Sequence, residues 1–214
     1  MMTEKFRKLI NPKTDNYYKL KQYVLGGGIS WFYAMYSTPP NEKSVNVIRQ
    51  YRNGKLLEYI DDEYENAPYF SHVVVQRPQE VNYMNENECT FLGVDDKFTP
   101  TVRSKSYELY VEPFIKDLII SNYKSKLFQF RMPLRINLNL TFPWGDKPSI
   151  PHVDHNFPHN NMIIYFTDTG GDTIIGGDNF TPKEDDIIVF NSDWFHCNMA
   201  PKSGRRVVMV TTFI

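Results

Sequence analysis

From Phe128 to Phe142 every even position is apolar: Phe128, Phe130, Met132, Leu134, Ile136, Leu138, Leu140 and Phe142. The odd positions between them are Gln129, Arg131, Pro133, Arg135, Asn137, Asn139 and Thr141. Side chains alternate faces along a strand, so a period of two held over this stretch dictates extended backbone with one face buried. Pro133 cannot donate to a ladder and marks a bend, an edge or the join between two strands. Two orientations stay open. Either the apolar row packs on a helix and Arg135, Asn137 and Asn139 face a barrel interior, or Leu138 and Leu140 line that interior.

The segments around this strand narrow the fold class. Residues 104–124 repeat apolar side chains at spacings of three and four (Tyr107, Tyr110/Val111, Phe114, Leu118), which predicts a helix. Pro113 either starts that helix or kinks it. Met162–Thr167, Ile187–Phe190 and Arg206–Phe213 are short β-branched or aromatic runs separated by Gly-Gly-Asp and Asp-Asp turns. With no helical stretch between them, they predict an antiparallel sandwich or barrel rather than βαβ units. Residues 1–100 read as irregular. Turn signals are dense there (GGG at 26–28, Pro39-Pro40-Asn41, Asn53-Gly54), with strand-like runs at Ile29–Tyr36 and Val73–Val75. The expectation is a mainly β (α+β) chain with a double-stranded β-helix, or jelly-roll, core and flanking helices. It forms one domain over 1–214, with 1–125 as supporting strands, loops and helix, and 126–214 as the core.

Composition excludes several partner classes. The 214 residues carry a formal net charge of −1, so no global field attracts a polyanion. Residues 151–214 hold four Lys/Arg against eight Asp/Glu, and the remainder holds 20 against 17. Neither part has the basic excess of a nucleic-acid binder, although a local groove at Lys105, Lys124 and Lys126 remains. Two cysteines, Cys89 and Cys197, form no disulfide framework. The N-terminus is charged throughout, and no apolar run approaches the length of a membrane span. We expect a cytoplasmic protein without a membrane partner.

Chemistry concentrates in the C-terminal part. His152 and Asp154 in PHVDH sit at i and i+2, so on a strand both project from one face and can take adjacent sites on one metal. His196, in DWFHC, follows the IIVF strand and can be brought alongside. Two imidazoles and one carboxylate with open positions form the facial triad of non-haem iron(II) oxygenases. With five histidines and 25 acidic residues, a His-x-acid pair also arises by chance and fits a turn histidine equally well. The stronger signal lies further on, in APKSGRRVVMVTTF. Arg205 and Arg206 alternate faces at the start of an apolar strand, so one of them points inward. A buried guanidinium must be paired, and its planar fork suits a carboxylate.

From Arg135 to Ile214 the chain resembles the 2-oxoglutarate/iron(II) dioxygenases of the prolyl-4-hydroxylase type. The matching elements are HVD (152–154), MIIYF (162–166), the Gly-Gly turn at 170–171, the histidine of DWFHC and Ser203-Gly204-Arg205-Arg206. WFY (31–33), FSH (70–72), RINLNL (135–140) and GDT (171–173) are similar to small oxygenases of marine phages and bacteria, which would put a phage-encoded chain in the host cytoplasm. The resemblance implies iron on His152, Asp154 and His196. It implies 2-oxoglutarate gripped by Arg206 with Tyr165 as partner, Arg205 being the fallback if the register shifts by one. It further implies consumption of O2, ascorbate as an accessory reductant, and hydroxylation of a peptidyl (prolyl-like) or small-molecule substrate. Because position 154 is Asp, no site is freed for halide and hydroxylation is favoured over halogenation.

Arg135, Asn137, Asn139 and Trp194 are the substrate-contact candidates, with Trp194 and Phe157 either walling the cleft or packing. His155 and His159 read as solvated loop histidines, His72 as structural and Cys197 as a buried small residue. The competing readings are a cupin-like metal-binding protein without oxygenase activity, a nucleic-acid-modifying oxygenase, and an inactive structural protein. A buried arginine clamp for an organic acid argues against the first.

Overall fold

In the computed structural model the described residues are 4–35, 50–52, 55–57, 64, 65, 67–76, 103–125, 128–155 and 158–214. The N-terminal elements are β1 (Arg7–Lys8), α1 (Asp15–Leu25), β2 (Phe32–Ala34), β3 (Gln50–Arg52), β4 (Lys55–Leu57) and β5 (Tyr69–Val75). A π-helical turn, Tyr107–Val111, runs into α2 (Glu112–Ser121). Then come β6 (Pro133–Thr141), β7 (Asn160–Tyr165), β8 (Thr173–Ile175), β9 (Asp178–Phe180), β10 (Ile187–Asn191), β11 (His196–Asn198) and β12 (Arg206–Phe213). β3 and β4 pair as expected around Asn53-Gly54, which itself lies outside the described residues, as do Phe157 and Cys89.

One large sheet runs in the order β1-β10-β7-β12-β6-β5-β2, and a smaller one in the order β11-β8-β9. The strand pairs in both are antiparallel. The small sheet covers part of one face of the large one, with Ile175 of β8 packed among Ile163, Tyr165, Ile188 and Phe190. This is a mainly β jelly-roll sandwich with helices on its outer face. Among the described residues no helix is long and apolar enough to cross a membrane.

β6 fixes which face is which. Leu134, Ile136 and Leu138 are fully buried, and the last two join Phe114 and Leu118 of α2 and Tyr17, Leu20 and Val24 of α1 in the main core. Burial of each such side chain contributes about 1.5–3 kcal/mol. The polar row of β6 therefore points the other way, toward the interior of the sandwich. β12 lies between β6 and β7. Val208 stands opposite Asn139 and Tyr165, Val210 opposite Asn137 and Ile163, and Thr212 opposite Arg135 and Asn161.

Two departures from expectation have physical causes. The ladder starts at Pro133, not Phe128: the alternating Phe128 and Phe130 pack on Phe213, with Phe130 stacked at 4.8 Å, while the backbone of Arg131 and Met132 bonds to Ile214. α1 lies in a region read as irregular. Its start is capped by Thr14, whose hydroxyl accepts from the Tyr17 amide and donates to Asp117 Oδ2 at 2.6 Å. Pro113 bears out one of its two readings: it sits in the first turn of α2, where its missing N–H costs nothing, just after the π turn in which the Glu112 amide reaches back to the Tyr107 carbonyl.

Candidate metal centre

His152 and His196 lie in separate chain segments that meet as a single antiparallel bridge. Each amide donates to the other's carbonyl at 3.0 Å, which sets the two rings 4.5 Å apart between centroids. Asp154, two residues on, turns its Oδ2 to within 3.4 Å of His196 Nε2. One ligand atom from each of the three residues lies within 4.8 Å of the others. His152 Nδ1 is 3.2 Å from the Ile150 carbonyl, which can only accept. The proton therefore sits on Nδ1, and the Nε2 lone pair is available to a metal.

The charge states suit a divalent ion. Burial pulls His196 down to about 3, aided by His152 and Arg135 and opposed by Asp154, so the imidazole is neutral at physiological pH. Burial alone would raise Asp154. The Arg135 guanidinium, followed by His196, His152 and His155, overrides it and holds the carboxyl well below its usual range. Arg135 Nη2 donates to Asp154 Oδ1, fixing that carboxylate from the side away from His196. Cys197 is beside the site, but burial pushes its thiol up to about 12, so no thiolate competes as ligand.

The three residues open onto a cavity of about 430 Å3. Arg135, Asn137, Asn139 and Thr141 of β6 line one wall, Ile163 and Tyr165 of β7 another, and Arg206, Val208 and Val210 of β12 a third. Arg206 is 4% exposed, and its Nη2 donates to the carbonyls of Gly170, at 2.8 Å, and Gly171. Burial pulls its pKa below the ordinary value, against the pull of Tyr165 and Asp172. Among the described residues no carboxylate forms an ion pair with it, and its Nε has no hydrogen-bond partner. Gly171, at φ +80°, is needed for this approach, since a Cβ there would run into the guanidinium and the Ala200 carbonyl. Tyr165, also buried, shares a 2.7 Å hydrogen bond with Thr173 Oγ1, and burial raises its pKa.

Of the residues singled out from sequence, His152, Asp154, His196, Arg135, Asn137, Asn139, Tyr165 and Arg206 all border this one cavity. Arg205 does not. The pairing of β12 turns it outward, where it is exposed and reaches the Leu25 carbonyl at 3.4 Å. Trp194 is not in the lining either: its ring packs against Gly176 beneath Lys5 Nζ, 5.2 Å from the centroid. His155 and His159 are buried rather than solvated, their rings edge to face at 4.7 Å, with His155 Nε2 2.8 Å from Thr212 Oγ1. Sequence reasoning missed the Arg135–Asp154 contact and the role of Thr173. The odd-position arginine on the polar row of β6 was the available signal for the first.

Fold and site together define a jelly-roll sandwich with a two-histidine, one-carboxylate cluster fit for a divalent metal. No family model matches the chain, and no curated protein matches it. Among solved structures it is similar to a 2OG-Fe(II) oxygenase family oxidoreductase from Burkholderia pseudomallei, at 12% identity over 71% of this chain and 70% of that one, with a TM-score of 0.46. It is also similar to an RmlC-like cupin from Desulfovibrio desulfuricans (16% identity, 37% of this chain and 70% of that one, TM-score 0.31). A salicylate 1,2-dioxygenase from Pseudaminobacter salicylatoxidans matches at 10% identity over 37% of this chain and 20% of its own, with a TM-score of 0.29. Likeness at this level carries no argument about activity, which rests on the site itself.

Proposed function

We propose that the chain is an iron(II)- and 2-oxoglutarate-dependent oxygenase that hydroxylates a peptidyl (prolyl-like) or small-molecule substrate. The observation that carries this reading is Arg206, a buried cation that forms no ion pair among the described residues, facing the same cavity as the His152–Asp154–His196 cluster. A guanidinium cannot shed its charge by deprotonating, and a ligand carboxylate is the counter-ion this reading gives it. A dicarboxylic acid that reaches both Arg206 and a metal supplies it.

Iron, when bound, would couple oxidative decarboxylation of 2-oxoglutarate by O2, giving succinate and CO2, to conversion of a substrate C–H into C–OH. His152 and His196 would hold the metal as neutral donors and Asp154 as the charged one. Arg206 would bind the distal carboxylate through its fork, with the Tyr165 hydroxyl as a neutral hydrogen-bond donor beside it. Val208, Val210 and Ile163 would exclude water from the co-substrate chain. Asn137 Oδ1 and Thr141 Oγ1, buried and without hydrogen-bond partners among the described residues, are further polar contacts for what fills the cavity.

The test is succinate formation by iron-loaded protein with 2-oxoglutarate under oxygen. Wild type should turn over at least slowly without substrate, whereas His152→Ala and Arg206→Ala should not. Equal succinate from all three would end this reading. Metal binding with no 2-oxoglutarate turnover in wild type would shift it to the cupin-like alternative.

A further inference from the structure

We propose that the substrate is a small carboxylic acid, its carboxylate held by the Arg135 guanidinium and a neighbouring N–H or O–H of the same molecule donated to Asn137. This deepens the oxygenase reading and rests on it. The first support is charge balance. Among the described residues the only permanently charged side chains lining the cavity are Asp154, Arg135 and Arg206, one anion against two cations. Among the described residues Arg135 pairs with Asp154 alone, to which it donates through Nη2. A divalent metal at the triad draws on that same single negative charge. With the two carboxylates of 2-oxoglutarate added, the site is still left with one positive charge in excess. An uncompensated charge in a partly buried cavity is costly, so a substrate carrying one negative charge is favoured over a neutral or cationic one.

The second support is hydrogen-bonding capacity. Arg135 Nε is buried with no partner among the described residues, and so is Asn137 Oδ1, two residues along the same face of β6. A donor edge of fixed positive charge beside an acceptor matches a molecule that carries a carboxylate next to a hydrogen-bond donor. The third support is size. At about 430 Å3 the cavity lies toward the low end of the roughly 300–1,000 Å3 usual for ligand sites, and co-substrate and substrate must share it. The part of a substrate that fits inside beside 2-oxoglutarate is therefore small.

The experiment uses full-length protein loaded with zinc in place of iron, with 2-oxoglutarate present. Free amino acids and hydroxy acids, each alongside its primary amide, are screened by ligand-observed NMR, and hits are titrated. Acids should bind and their amides should bind at least about 30-fold more weakly, as expected for loss of a buried charge pair. Arg135→Gln should erase that preference. Because Arg135 also touches Asp154, Asn137→Asp serves as the second variant: it supplies the carboxylate from within, so the preference for an acid over its amide should fall by a similar factor. The proposal is overturned if acids and amides bind alike, if no acid binds, or if Asn137→Asp keeps the wild-type preference for acids. Acid selectivity in a protein that fails to bind 2-oxoglutarate would instead overturn the co-substrate reading and leave the Arg135 site standing.

Discussion

Replacing Arg206 by Met separates what this arginine does for the fold from what it does for a ligand. In the ligand-free protein the guanidinium is buried, and Nη2 serves the Gly170 and Gly171 carbonyls. Removing it strips those carbonyls of a donor, at about 1–3 kcal/mol each. It also abolishes a desolvation penalty of several kcal/mol for an ion that forms no ion pair among the described residues. The two oppose each other, so the ligand-free variant should lie within about 2 kcal/mol of wild type. With 2-oxoglutarate the arms diverge. At a concentration of 100 times Kd a ligand stabilises by about 2.7 kcal/mol. For a chain of this size that raises Tm by about 5–11 °C, at roughly 2–4 °C per kcal/mol. The measurement is a thermal melt of manganese-loaded protein with and without 2-oxoglutarate under nitrogen. Wild type should show the full rise and Arg206→Met almost none, with succinate as a weaker mimic in wild type only. An equal rise in both proteins would refute the assignment of Arg206 to the dicarboxylate.

The remaining predictions test other parts of the structure. Asp154→Ala or His152→Ala should cut iron retained after desalting, measured by elemental analysis, by at least tenfold while far-ultraviolet dichroism is unchanged. Gly171→Ala drives a methyl into Arg206 and the Ala200 carbonyl, and should weaken 2-oxoglutarate binding by at least tenfold in a calorimetric titration while leaving metal content unaltered. Leu138→Ala, at a fully buried position between the sheet and the helices, should cost about 2–5 kcal/mol in denaturant melts. Burial opposes ionisation of Asp185, but hydrogen bonds from Lys21 and Tyr17, both at 2.5 Å, and from Lys13 hold its pKa below the ordinary value. A depressed carboxyl contributes stability that is present above the unfolded pKa of about 3.9 and is lost as pH falls through the folded one. Wild type should therefore lose more Tm than Asp185→Asn on acidification below pH 4, and Asn also tolerates the φ of 71° found there. Parallel pH profiles would contradict this.

Much of the site was legible because its signals are local. The His-x-Asp spacing needs only one extended segment, and the alternation of β6 separates a core row from a polar row before any partner is known. Which way that polar row points was not legible, because it depends on where α1 and α2 pack. α1 itself was hidden: its buried stripe is only Tyr17, Leu20 and Val24, set among charged and polar positions that resemble a surface segment. β8 and β9 are three residues each, too short for a periodicity to register. The choice between Arg205 and Arg206 turned on a one-residue register that only the pairing of β12 with its two neighbours decides. His155 and His159 looked solvated because nothing in a loop sequence announces that Thr212 and Ser192 lie within hydrogen-bonding reach.

β6 divides its labour residue by residue. Leu134, Ile136, Leu138 and Leu140 anchor the sheet to the layer behind it, while Arg135, Asn137, Asn139 and Thr141 look into the chamber where chemistry would occur. Neighbours along the chain thus answer to different demands. Ligand preference can drift through one set of side chains while thermal endurance is guarded by the other, and a single strand can accept new specificities without loosening the scaffold that carries them.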